Sequence, residues 1–262
     1  MNSYLIKSKS LFVSVLFLVF FELLSYFLLK DNIFNIYLST RNLWYLVLVN
    51  AVLVTFSCFW VSFPNFLKEE TFFKTIIIVF FDLSIFLFLF FSSFFLLNQI
   101  IVVVSAFLFF FLFRSIGERE AQFKFVNAVS FLSAFFFFFS AYSLLENTFF
   151  PYWVVALMVI FFSNLLLYYK LEHTGVDKAH KSFYLILSAI VMAEVFFASL
   201  FWPVPSLFLR SLVLVAAYYF SWGMIDIQAR GAANRSNIII YLGVFVLILV
   251  LIGVAILAKN II

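Results

Sequence analysis

The chain has 262 residues, 67% hydrophobic and only 11% charged, with a formal net charge of +4. A soluble domain carries about 45–50% apolar and about 25% charged residues, so a soluble fold is excluded. One cysteine, Cys58, excludes an intrachain disulfide. Phenylalanine alone supplies 44 residues, in runs such as Phe135 to Phe139. An aromatic ligand cage needs a few particular rings; these are everywhere, which suits lipid-facing and interhelical filling.

Crossing about 30 Å of hydrocarbon takes about 20 apolar residues in a helix. The apolar runs here are continuous, whereas barrel strands alternate in segments of about ten. The fold class expected is therefore all-α, a polytopic membrane helix bundle forming one transmembrane domain over 1–262. Nine spans are predicted, at 10–29, 42–63, 73–96, 99–114, 125–145, 149–169, 183–201, 206–224 and 238–258. The first follows Lys7 and Lys9, as a signal peptide would, but ends at Leu29-Lys30 without a small-x-small cleavage site and reads as a retained helix. The run 73–114 is interrupted only by Ser92-Ser93 and Asn98-Gln99. A tight turn is predicted at Asn98-Gln99, which makes the fourth helix short.

Charge parity supports nine crossings, because Lys and Arg concentrate in cytoplasmic loops. Nine spans place Lys7, Lys9, Lys68, Lys74, Arg114, Arg119, Lys124, Lys170, Lys178, Lys181, Arg230 and Arg235 on one side. Only Lys30, Arg41 and Lys259 fall on the other, with Arg210 inside a helix. The N-terminus is thus expected in the cytoplasm and the C-terminus outside, in a cell membrane and most simply a bacterial inner membrane. Trp44, Tyr45, Tyr152, Trp153 and Trp202 then all fall at the outer boundary, where amphipathic rings anchor at headgroup depth.

At 1.5 Å per residue, Glu22 lies about 18 Å, Asp82 about 13 Å and Glu194 about 17 Å from the inner ends of their helices. Asn50 lies about 18 Å from the same side. Glu22, Asn50, Asp82 and Glu194 thus form a candidate midplane polar site for a proton, a cation or a small solute. The plainer alternative is that each acid is packing glue between helices. Arg210, about 6 Å below the outer turn at Trp202-Pro203-Val204-Pro205, is expected either to pair with Glu194 or to snorkel to lipid headgroups.

The loop Lys170 to Lys181 carries both histidines, yet Glu172, His173, Asp177 and His180 match no zinc spacing. There is no His-Glu-x-x-His and no Gly-x-Ser-x-Gly. Asp226-Ile-Gln-Ala-Arg230 partly resembles the opening of the CDP-alcohol phosphatidyltransferase signature, but the glycine after the first aspartate is missing. No acid follows Asp226, so two-metal chemistry has no ligands.

The hairpin Glu194 … Trp202-Pro203-Val204-Pro205 … Arg210 resembles the C-terminal part of uncharacterised bacterial multi-spanning membrane protein families without assigned activity. That resemblance implies the architecture and transfers no site. Two functional readings follow from the residues. One is a permease-like protein using the midplane acids, and the other is a non-catalytic structural or accessory subunit. No cofactor or metal is expected, and no nucleic acid. The partners expected are membrane lipids and either a membrane protein or a second copy of this chain.

Overall fold

The structure, a computed structural model, describes residues 3–29, 40–63, 69–92, 94–117, 123–147, 150–172, 176–201, 206–229 and 235–261. Among these residues there are nine helices and no strands: α1 Ser3–Leu29, α2 Thr40–Ser62, α3 Glu69–Phe91, α4 Phe95–Gly117, α5 Phe123–Asn147, α6 Tyr152–Glu172, α7 Lys178–Phe201, α8 Leu207–Ala229 and α9 Arg235–Ile261. The first eight are long and apolar enough to cross a membrane, and α9 carries the shorter apolar stretch Ile238–Val250. The chain is a multi-pass membrane protein. Trp202, Pro203, Val204 and Pro205, on which part of the sequence reading rests, lie outside the described residues.

The break between α3 and α4 corrects one expectation. It falls between Phe91 and Phe95 rather than at Asn98-Gln99, so α4 is a full 23 residues long. Asn98 lies inside the first turn of α4, where its side-chain Nδ2 donates to the Ser92 carbonyl at 3.1 Å. The amide thus satisfies one of the carbonyls that a helix C-terminus leaves without a partner. Gln99 reaches across to the Ser25 hydroxyl of α1 at 3.3 Å. Both residues staple helices; neither breaks one.

Two compact units divide the chain, Met1–Phe136 and Phe137–Ile262. In the first, α1 packs on α2, α3 and α4, and α3 packs on both α2 and α4. Its centre is aromatic: Phe17 stacks on Phe109 at 5.0 Å, and Phe81 leans on Phe109 at 5.2 Å. Such ring pairs contribute about 0.5–1.5 kcal/mol beyond their buried area, which matters where lipid removes the hydrophobic drive to associate. In the second unit, α7 packs on α6 and α8, and α8 also packs on α6 and α9. Phe137 of α5 lies flat on Phe162 of α6, with centroids 4.0 Å apart and planes within 3°.

Local chemistry explains the helix ends and the polar residues within the spans. Asp177 precedes α7 and its carboxylate accepts the His180 backbone N–H at 3.0 Å, while Ser206 accepts the Leu209 N–H at 3.3 Å before α8. Both are N-caps. Buried hydroxyls such as Ser62, Thr75 and Ser211 donate to the carbonyl four residues earlier, so they do not need polar neighbours. At Gly223 an added Cβ would overlap the Tyr241 ring. Glycine is what lets α9 approach α8 there, beside the Tyr219–Tyr241 ring pair at 5.2 Å.

Candidate functional site

Asp82 and Asn50 are the two predicted midplane residues that the first unit brings into contact. Asp82 on α3 is 0% exposed and Asn50 on α2 is 1% exposed. The Asn50 amide Nδ2 donates to Asp82 Oδ2. The other oxygen of each side chain, Asn50 Oδ1 and Asp82 Oδ1, is buried without a hydrogen-bond partner. Leaving such an oxygen dry costs about 1–3 kcal/mol, so the pair is under-satisfied. Ser105 of α4 adds a third unpartnered buried oxygen. Counted from the short α3–α4 connection, Asp82 and Ser105 both lie about 14 Å along their helices. Ser105 escaped the sequence reading because serine is common in these spans and carries no charge. Cys58, on α2 two turns beyond Asn50, is buried.

Glu22 lies half-buried on α1 in the first unit. Glu194 lies in the second unit, exposed on the outer face of α7. Arg210 does not pair with Glu194. Its Nη1 lies 3.6 Å from Glu146 Oε1 at the end of α5, with the two side chains 24% and 52% exposed. The Arg210 Nε is buried without a partner. Beside them Tyr142 and Ser199 share a hydrogen bond between their hydroxyls. Tyr142, Leu145, Glu146, Phe197, Leu200 and Arg210 line a pocket of about 350 Å³ at this end of the second unit. The pocket is the feature the sequence hid most completely, because its walls come from four separate helices.

A model of the family described as "Protein of unknown function (DUF5656)" matches residues 75–255, more than half of the chain. The chain belongs to the DUF5656 family. No curated protein and no solved structure matches it. The match extends well beyond the C-terminal hairpin on which the sequence resemblance rested. It takes in Asp82, Glu146, Glu194 and Arg210 and leaves out Glu22 and Asn50.

His180 of this DUF5656 protein has structural work. Asp177 and His180 share a side-chain contact as well as the cap. The His180 backbone N–H, then its imidazole, hold the Asp177 carboxyl below its ordinary range. Glu172 pairs with Lys181 at 2.8 Å, and His173 lies outside the described residues. Among the described residues no three His, Cys, Asp or Glu side chains come together as metal ligands would. Asp226, the residue of the partial phosphatidyltransferase likeness, is 3.2 Å from the buried Lys170 ammonium.

Proposed function

We propose that this DUF5656 protein is permease-like, carrying a proton or a small cation past the membrane midplane on Asp82 and Asn50. The observation that carries the reading is the enclosed carboxyl of Asp82, hydrogen-bonded to a neutral amide, with one oxygen on each side chain still free to accept. An ionisable group inside a membrane span is costly unless it is paired or serves a solute pathway. Burial at 0% and 1% exposure suits a proton or a bare ion better than a larger solute. Ser105 offers a further oxygen at the same level. The basic ends of the helices face the cytoplasm of a cell membrane in this reading, following the charge bias of the loops.

Purified protein in liposomes loaded with a pH-sensitive dye tests it under an imposed membrane potential. Wild type should acidify the lumen, or do so only with a particular alkali cation present, and Asp82→Asn should abolish the flux. Equal flux in the two proteins, or none from wild type, ends the carrier reading.

A subunit role is favoured by a different observation, the outer face of α7. Phe183, Leu187 and Ile190 are exposed there, and Glu194 lies one turn further along. These positions advance by alternate steps of four and three residues, the spacing of a coiled-coil seam. A carboxyl on that seam needs a hydrogen-bonding partner. Docking α7 against α7 of a second copy brings the two Glu194 side chains together near a two-fold axis. Light scattering in detergent should then report a dimer for wild type and for Glu194→Gln, and a monomer for Glu194→Leu. A monomeric wild type, or an unaltered Glu194→Leu, removes this reading.

A further inference from the structure

We infer that the pocket between the ends of α5, α6, α7 and α8 binds an amphiphile with an anionic head, the head on Arg210 and the chain along Phe197, Leu200 and Phe201. This site is independent of the Asp82 reading, since every residue in it belongs to the second unit. Three features point to such a ligand.

The first is an arginine with unused capacity. Guanidinium carries five N–H donors in a planar fork suited to carboxylate and phosphate. Here its closest acid, Glu146, lies at 3.6 Å, which is ionic contact beyond hydrogen-bond length. Its Nε has no acceptor. A ligand oxygen that came within about 2.8 Å would form the charge-assisted bonds that Glu146 does not.

The second is the wall. Phe197 and Phe201 are 40% and 87% exposed, and with Leu145 and Leu200 they give the pocket an apolar flank beside its charged floor. A free inorganic anion would leave that flank unused, and a pure hydrocarbon would leave the arginine without an acceptor. Only a molecule with both parts satisfies the site.

The third is its position. Arg210 lies in the first turn of α8, just after the Ser206 cap, and Tyr152 opens α6 on the pocket rim with 62% of its surface exposed. Aromatic rings of this kind sit at headgroup depth, where a lipid head and the start of its chain are both within reach. Glu146, half-exposed beside Arg210, competes with the incoming head for the guanidinium and so sets the affinity.

Thermal unfolding of the purified full chain in a neutral maltoside detergent tests the inference, with decyl phosphate, decanol and inorganic phosphate as probes. Decyl phosphate should stabilise wild type saturably, while decanol and inorganic phosphate at the same concentrations should not. Arg210→Gln should weaken decyl phosphate about tenfold, the loss expected for a charge-assisted hydrogen bond. Glu146→Gln should tighten it, and Phe197→Ala should weaken it. The Glu146 variant keeps the test decisive even where Arg210→Gln does not fold. Equal stabilisation by inorganic phosphate would make the site one for a free anion and overturn the amphiphile. Decyl phosphate acting alike on wild type and Glu146→Gln, or decanol acting as well as decyl phosphate, would overturn the role of the arginine.

Discussion

Asp226→Asn should lower the stability of the second unit by about 3–5 kcal/mol, the cost of removing one partner from a buried ion pair. Lys170 is 3% exposed and its ammonium lies 3.2 Å from Asp226, itself 12% exposed. The same ammonium sits 4.6 Å above the Trp222 ring centroid, and Trp222 packs against a core cluster of Leu167, Leu171, Tyr184 and Ile225. Asparagine keeps the shape and removes the negative charge that the buried ammonium faces at 3.2 Å. The ring face returns only about 0.5–2 kcal/mol of that loss. Lys170→Met should cost less than Asp226→Asn, because the carboxylate it leaves behind is the partner nearer to solvent. Unfolding by SDS in mixed micelles measures both. An Asp226→Asn protein within about 1 kcal/mol of wild type would show that the ammonium reaches water or another acceptor in solution.

That pair also marks the limit of what sequence could disclose. Lys170 was legible as a basic residue at the end of a span and Asp226 as an acid in a partial motif. Their separation of 56 positions gave no hint that α6 and α8 bring them together. The spans themselves were legible because a continuous apolar run has only one stable form in lipid, a helix. The α3–α4 turn was misplaced by a few residues for an instructive reason. Asn98 and Gln99 look like breakers in a row of apolar residues, yet both amides find partners, in the Ser92 carbonyl and the Ser25 hydroxyl. The contact between Asn50 and Asp82 was foreshadowed by shared depth alone, since α2 and α3 are antiparallel neighbours. Arg210 was expected either to pair with Glu194, the acid on the preceding helix, or to snorkel to lipid headgroups. Its partner proved to be Glu146, one residue past the predicted end of the 125–145 span and 64 positions away in the chain.

The midplane pair allows stability and transport to be separated by one set of variants. Asn50→Leu removes the hydrogen-bond donor from the fully buried Asp82 carboxyl, and Asp82→Leu leaves the Asn50 amide equally stranded. Each single variant should lose about 1–3 kcal/mol, the cost of an unsatisfied buried polar group. The double variant, Asn50→Leu with Asp82→Leu, replaces both partners by apolar groups of similar size and should return to within about 1 kcal/mol of wild type. Polar contacts between membrane helices are individually worth only about 0.6 kcal/mol on average, so the pair has little claim to be there for stability. A protein that needed Asp82 only to hold α3 to α2 would be restored in every respect by the double substitution. A carrier would regain its folded stability and still move no ions. Thermal unfolding and liposome flux measured on the same four proteins distinguish the two, and full flux in the double variant would remove Asp82 from any transport role.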